Sequence, residues 1–209
     1  MIAVMGGVFD PVHFGHIKPA LELLSRPQIS QVRLMPCRVH PDKGEAGAGA
    51  RHRLRMLELV AGAGLVVDGR ELERDGVSYT VDTLGQLRAE AGDEQPLAFV
   101  AGQDTAANMP GWRCAARLPS LAHLIVLARP DCGACLLPPP WRRAEDLAAL
   151  AASPAGCAYL VHNRPVAASS GAIRAMIRRR EQPRYLLPGA VWNYIRRHRL
   201  YGWNEHRDF

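Results

Sequence analysis

The chain has 209 residues, of which 48% are hydrophobic and 22% charged, an ordinary globular composition long enough for one sizeable core. No basic segment leads into an apolar region at the start, and no apolar run approaches the roughly 20 residues that span a bilayer, so a cytoplasmic protein without membrane contact is expected. The net charge of +6 and pI of about 9.4, carried far more by Arg than by Lys, suit an anionic ligand such as a phosphorylated metabolite or nucleic acid.

In chain order, a β-rich run from Ile2 to Met5 is followed by helical spacing from His16 to Leu24. A second strand is expected from Gln31 to Met35, then a Gly/Ala loop from Gly44 to Ala50 and a helix from Ala50 to Val60. Leu65 to Val67 forms the next strand, and Val81 to Ala91 the next helix. Strands are expected at Leu97 to Ala101 and His123 to Ala128. The Pro-rich stretch from Leu137 to Pro140 reads as a loop, Arg143 to Ala152 as a helix, and Ala158 to Val161 as the last strand. Helices from about Ser170 to Arg180 and from Gly189 to Arg197 close the chain. Several strands are continuous apolar runs, as in strands covered on both faces, and their alternation with helices predicts an α/β, doubly wound parallel sheet. We expect one domain over residues 1–209, with a helical C-terminal part from about residue 168.

Five cysteines are scattered, and Cys132 and Cys135 form a lone Cys-x-x-Cys with no second pair and no histidine at ligand spacing. Neither a metal site nor a redox pair is expected of them. The C-terminal third is crowded with arginines, from Arg174 to Arg199, most of which read as solvated helix faces. Aromatic–basic interleaving and a helix-turn-helix pattern are both missing, which argues against a nucleic-acid partner.

The informative segment runs from Met5 to His16, Met-Gly-Gly-Val-Phe-Asp-Pro-Val-His-Phe-Gly-His, after the first strand and into the first helix. In an open α/β sheet ligands bind beyond the strand C-termini. Gly6 and Gly7 leave room for a phosphate to approach the backbone. His13 and His16, three residues apart, can converge on one ligand where helix N–H groups already favour anions. The segment is neither the Gly-x-Gly-x-x-Gly fingerprint nor a Walker A loop.

This segment resembles the His-x-Gly-His signature of the nucleotidylyltransferase superfamily. Ala168-Ser-Ser-Gly-Ala-Ile-Arg174 resembles its second element, with Gly171 where Thr is usual. Glu71 to Leu84, containing Ser78-Tyr-Thr80, and Phe99 to Asp104 followed by Trp112 are similar to segments of the bacterial nicotinate-mononucleotide adenylyltransferases. Pro36 to Lys43 resembles that family's Pro-Pro-His-Lys loop, with Asp42 in place of the His and His40 two residues earlier. Arg53 and Met56, and the ending from Tyr185 to Tyr201, fit as well, so the resemblance spans nearly the whole chain.

The resemblance implies a Rossmann-like fold and adenylyl transfer from ATP to nicotinate mononucleotide, with release of pyrophosphate. It implies catalytic roles for His13, His16, Lys43 and Arg174. It assigns Gly6, Gly7, Phe9, Gly102, Asp104, Ser169 and Ser170 to ATP and its phosphates, and Tyr79, Thr80 and Trp112 to the pyridine mononucleotide. Mg²⁺ is expected to arrive with ATP, held mainly by phosphates and water. Phosphopantetheine adenylylation, CMP transfer and nucleotide sensing without turnover remain alternatives, as does preference for the amide form of the pyridine. The first two share His-x-Gly-His but lack the Ser-Tyr-Thr-x-Asp-Thr-Leu segment.

Overall fold

The computed structural model of the chain describes residues 1–128, 137–164 and 166–204, so the Cys132/Cys135 pair lies outside the described residues. Its elements are β1 (Ile2–Gly7), α1 (Phe14–Leu24), β2 (Gln31–Pro36), α2 (Ala50–Glu58), β3 (Leu65–Val67), α3 (Arg70–Glu73), α4 (Thr80–Ala91), β4 (Leu97–Gly102), α5 (Gln103–Asn108), α6 (Leu118–Leu121), β5 (His123–Leu127), β6 (Arg142–Arg143), α7 (Leu147–Ala151), β7 (Cys157–Val161), α8 (Ser170–Arg178) and α9 (Gly189–Arg197).

All seven strands pair in parallel, in the order β3-β2-β1-β4-β5-β7-β6. The chain winds outward from β1 through β2 to β3, then crosses back to lay β4 on the other side of β1. The reversal between β1 and β4 opens a crevice beyond their C-terminal ends, where Gly6, Gly7 and Gly102 lie.

Side chains alternate across the sheet. Ala3 and Met5 of β1 join the core under α1, α2, α8 and α9, whereas Val4 joins the opposite core under α4 and α6. Strands buried on both faces have no polar positions to spare, which explains the continuous apolar runs. Ile173, Ile177, Val191, Trp192 and Ile195 of the C-terminal helices share the first core with β1 and β2.

Beyond shifts of one or two residues at helix ends, four details differ from what the sequence predicts. The first strand runs two residues further and includes Gly6 and Gly7, paired with Met35 and Pro36. The expected helix from Arg143 to Ala152 is confined to Leu147–Ala151, where Asp146 caps the N–H of Ala149 at 2.8 Å. Upstream, Arg142 and Arg143 pair with Cys157 and Ala158, and the Ala144 N–H bonds the Ala158 carbonyl at 2.8 Å. That pairing occupies the backbone groups a helix would need, while the indole of Trp141, buried beside it, donates to the Ala122 carbonyl at 3.1 Å. The short helices α3, α5 and α6 have no counterpart in the sequence pattern, since four to six residues carry too little periodicity to be read. Ala128, the last residue expected in the fifth strand, lies just outside β5.

Two buried arginines tie the loops together through carbonyls. Arg53, 2% exposed, donates to Val8 at 2.9 Å, Cys37 at 2.7 Å and Ala48 at 3.2 Å, joining the ends of β1 and β2 to the loop before α2. Arg88 does the same below the sheet, donating to Gly92 at 2.9 Å, Gln95 at 2.7 Å, Leu121 at 2.9 Å and Pro154 at 2.9 Å. Among the described residues no helix is long and apolar enough to cross a membrane. Replacing Arg88 with Leu removes both side-chain donors from the carbonyl of buried Leu121 and frees those of Gly92 and Gln95, and should cost about 2 kcal/mol or more; urea unfolding that shows a loss below about 1 kcal/mol would contradict this role.

Candidate active site

The site begins with an unusual cap on α1. His13 is the N-cap, in extended conformation, and its Nδ1 accepts the N–H of Gly15 at 3.1 Å. His16, at the third helical position, accepts the N–H of His13 on its own Nδ1 at 3.3 Å, which completes a reciprocal capping box. A neutral imidazole accepting on Nδ1 carries its proton on Nε2, so both rings are held as Nε2–H donors. The rings stack with centroids 3.8 Å apart and a tilt of 32°. Phe9, 1% exposed, props His16 from below with its ring edge-on at 4.9 Å.

Gly15 is required by the same geometry. A Cβ there would stand 2.9 Å from two atoms of the His13 ring and 3.2 Å from the Ala168 carbonyl. Gly7 has a similar reason, since a Cβ would press on the Phe9 ring at 3.3 Å.

Next to this cap the carboxylate of Asp10, 1% exposed, gathers donors from distant parts of the chain. It accepts from the N–H groups of Gly47 at 2.6 Å and Ala48 at 3.0 Å, and from the Tyr201 hydroxyl at 2.8 Å. Arg174 Nη1 donates to the Asp10 carbonyl at 2.6 Å and pairs with its carboxylate at 3.4 Å. Ser169 caps α8 through the Ala172 N–H at 3.1 Å, whereas Ser170 donates to the Pro11 carbonyl at 3.0 Å. The N-termini of α1 and α8 therefore abut, and both macrodipoles favour negative charge at the same rim.

On the cavity side of β1 lies a cleft of about 320 Å³, floored by Gly6, Gly7 and Phe99 and walled by His40, Lys43, Tyr79, Thr80 and Trp112. Trp112 meets Phe99 edge-on at 6.0 Å. Arg113 lies over the Tyr79 ring at 4.6 Å and 3.9 Å from Asp82. No side chain caps α4, so its first backbone N–H groups are left for solvent or a ligand. Beneath this wall the buried carboxylate of Glu71 accepts from Thr83 at 2.6 Å, and burial pushes its pKa above the usual carboxylate range.

The structure thus brings Gly6, Gly7, Lys43, Tyr79, Thr80 and Trp112 into one cleft, and His13, His16, Arg174, Ser169 and Ser170 onto one rim. Phe9 is placed otherwise: its ring is buried beneath His16 and acts as a support. Gly102 ends β4 as the N-cap of α5, and Asp104 is exposed on the first turn of that helix, outside the residues that line the cleft. Sequence reasoning gives no site role to Asp10, Tyr201 or Arg113. Asp10 was legible in principle, as an acid between a phenylalanine and a proline in a buried turn, but its partners lie 37 to 191 residues away.

Residues 4–176 match the family model described as cytidylyltransferase-like. A Methylococcus capsulatus protein named "Probable nicotinate-nucleotide adenylyltransferase" is 41% identical, over 96% of this chain and 99% of its own. A Hahella chejuensis protein of the same name is also 41% identical, over 96% of this chain and 95% of its own. The chain belongs to the nicotinate-nucleotide adenylyltransferase family. Among solved structures, the Plasmodium falciparum nicotinic acid mononucleotide adenylyltransferase complexed with NaAD superposes with a TM-score of 0.72 over 97% of this chain and 98% of that one, at 18% identity, a likeness of fold.

Two departures from the family pattern have a structural reading. At Gly171 nothing lies within 4 Å of the point where a Cβ would stand, so packing does not exclude a larger residue there. In the Pro36 to Lys43 loop, His40 lines the cleft although Asp42 stands where the family has His. The Asp42 N–H donates to His40 Nδ1 at 3.1 Å, which again leaves Nε2 as the protonated nitrogen.

Gly15→Ala should lower turnover by about tenfold or more, because displacing a positioned ring by under an ångström is enough; unchanged turnover would contradict the steric account. Burial holds His13 down to about 4 from its ordinary 6.5. Because the folded value is the depressed one, the stability contributed by the neutral ring is complete above about 6.5 and is lost as pH falls towards 4, on the order of 3 kcal/mol. Urea unfolding between pH 7 and pH 4.5 should show this decline, and a smaller one in His13→Asn, which keeps a cap acceptor. Equal slopes in the two proteins would remove His13 as its source.

Proposed function

We propose that this chain transfers the AMP part of ATP to nicotinate mononucleotide, giving nicotinate adenine dinucleotide and pyrophosphate in NAD biosynthesis. The observation that carries the proposal is the junction at the end of β1. There a cleft walled by Tyr79, Thr80 and Trp112 opens beside a rim where His16, Arg174 and two helix N-termini meet. Relatives at 41% identity, aligned over nearly the full length, bear the same family name.

The mechanism is an in-line displacement. An oxygen of the acceptor's 5′-phosphate attacks the α-phosphorus of ATP, the bond to the bridging oxygen breaks, and pyrophosphate leaves with that electron pair. Such a reaction needs positioning and charge stabilisation and no protein nucleophile. His16 is half-buried while His13 is 3% exposed, so His16 presents the Nε2–H to the α-phosphate and His13 backs it by stacking. Arg174 and Lys43 neutralise the charge that grows on pyrophosphate, the guanidinium as a multi-donor cation. Ser169 and Gly6 and Gly7 let the phosphates approach main chain.

The pyridine ring stacks in the Trp112 cleft, and its carboxylate meets the uncapped N-terminus of α4 at Thr80. Mg²⁺ enters as part of the ATP substrate, carried by phosphates and water. The protein works in the cytoplasm on these two nucleotide substrates, without nucleic acid.

Pyrophosphate release from MgATP should be strong with nicotinate mononucleotide and weak with nicotinamide mononucleotide or phosphopantetheine. His16→Ala should lower turnover about 10²-fold or more. Release only with another acceptor would overturn the reading of Tyr79, Thr80 and Trp112, and undiminished turnover in His16→Ala would overturn that of the rim.

A further inference from the structure

The C-terminal turn is bent into an uncommon shape to reach the rim. After α9 the chain makes a 3₁₀ turn, Leu200–Gly202, in which Tyr201 takes a positive φ of 59°, just after Arg199 at 51°. These are left-handed conformations that side chains with a Cβ rarely adopt. The bend sets the Tyr201 ring inside the core, 8% exposed, and puts its hydroxyl 2.8 Å from Asp10 Oδ1. The other carboxylate oxygen of Asp10 pairs with Arg174 at 3.4 Å and takes the Gly47 N–H at 2.6 Å.

We infer that Tyr201 is a positioning residue for ATP, acting through Asp10 on Arg174. A carboxylate has only acceptor sites, and each must be filled when it is buried. With the hydroxyl on one oxygen and Gly47 and Arg174 on the other, the carboxylate cannot rotate, and Arg174 Nη1 is fixed between it and the Asp10 carbonyl. Without the hydroxyl, Oδ1 keeps only the Ala48 N–H at 3.0 Å, and the carboxylate can turn towards the guanidinium as a fuller ion pair. A guanidinium drawn into that pair is less available to a triphosphate. The hydroxyl thus holds Arg174 at the rim as a cation that is only partly spent on Asp10. Tyr201 itself touches no substrate.

The inference rests on the adenylyl-transfer reading for the identity of the ligand, and its test separates the two. The measurement is the affinity of the whole chain for a non-hydrolysable ATP analogue with Mg²⁺, in wild type, Tyr201→Phe, Arg174→Ala and the double variant. Tyr201→Phe keeps the buried ring and should weaken the analogue about tenfold, the scale of a hydrogen bond to a charged group. In the Arg174→Ala background the same change should have no further effect, and that non-additivity is what a merely structural tyrosine would not produce. Steady-state kinetics of Tyr201→Phe should show a raised KM for ATP with the KM for nicotinate mononucleotide unchanged. Equal losses in both backgrounds, an effect on both substrates alike, or no effect on affinity would each overturn the inference. Failure of the wild type to turn over nicotinate mononucleotide would overturn the function reading while leaving the affinity cycle decisive for Tyr201.

Discussion

A helix N-terminus leaves four backbone N–H groups unsatisfied, and in α1 two of the groups that answer this need are histidines. That single solution constrains much of the molecule. Because Nδ1 of each ring is taken by main chain, the orientation and tautomer of both are fixed before any ligand arrives. Because the His13 ring folds back over the Gly15 N–H, a side chain at position 15 would meet that ring and the Ala168 carbonyl, and glycine is needed there. Because His16 leans on Phe9, the left-handed φ of 52° at Phe9 and the absence of a Cβ at Gly7 become parts of the same arrangement. The helix start is at once a structural cap and a row of preorganised donors, which is the form electrostatic catalysis takes when no nucleophile is used.

The second constraint is closure. The rim is assembled from residues near both ends of the chain, and the buried Asp10 carboxylate is where they meet. Its four donors come from the loop before α2, from α8 and from the last described turn. Arg53 adds a separate clasp, holding the carbonyls of Val8 and Cys37 and so the ends of β1 and β2 beside the cleft. The same loops that carry Lys43 and His40 are bridged to the Tyr79 wall through the Ser78 N–H and the Val39 carbonyl at 2.9 Å. The rim and the cleft are therefore supported by one connected set of hydrogen bonds.

The sheet was legible because its strands are buried on both faces and read as unbroken apolar runs, and six of the seven are visible in the sequence. The remaining strand, Arg142–Arg143, is two exposed residues long, with no pattern to read. The α1 rim was legible because His13, Gly15 and His16 are close in sequence, and the cleft because Ser78-Tyr-Thr80 and Trp112 match a family segment. What was not legible depends on separation. Asp10 pairs with Tyr201 across 191 residues and with Arg174 across 164, and no periodicity encodes such a contact. The inward turn of the Phe9 ring was hidden for a related reason, since sequence shows only its proximity to the glycines.

The proposed chemistry of the rim depends on His13 and His16 each accepting main chain on Nδ1 and carrying a proton on Nε2, with His16 facing a phosphate. Nitrogen-15 NMR of the histidine rings, recorded without ligand between pH 6 and 8 and with residues assigned through His13→Asn and His16→Asn, tests this directly. The capping geometry predicts the Nε2–H tautomer for both rings when neutral, and a perturbed Nε2 signal for His16 on addition of ATP with Mg²⁺. An Nδ1–H tautomer at either position would mean that the cap is not made as described, and the donors would then face the helix instead of the substrate.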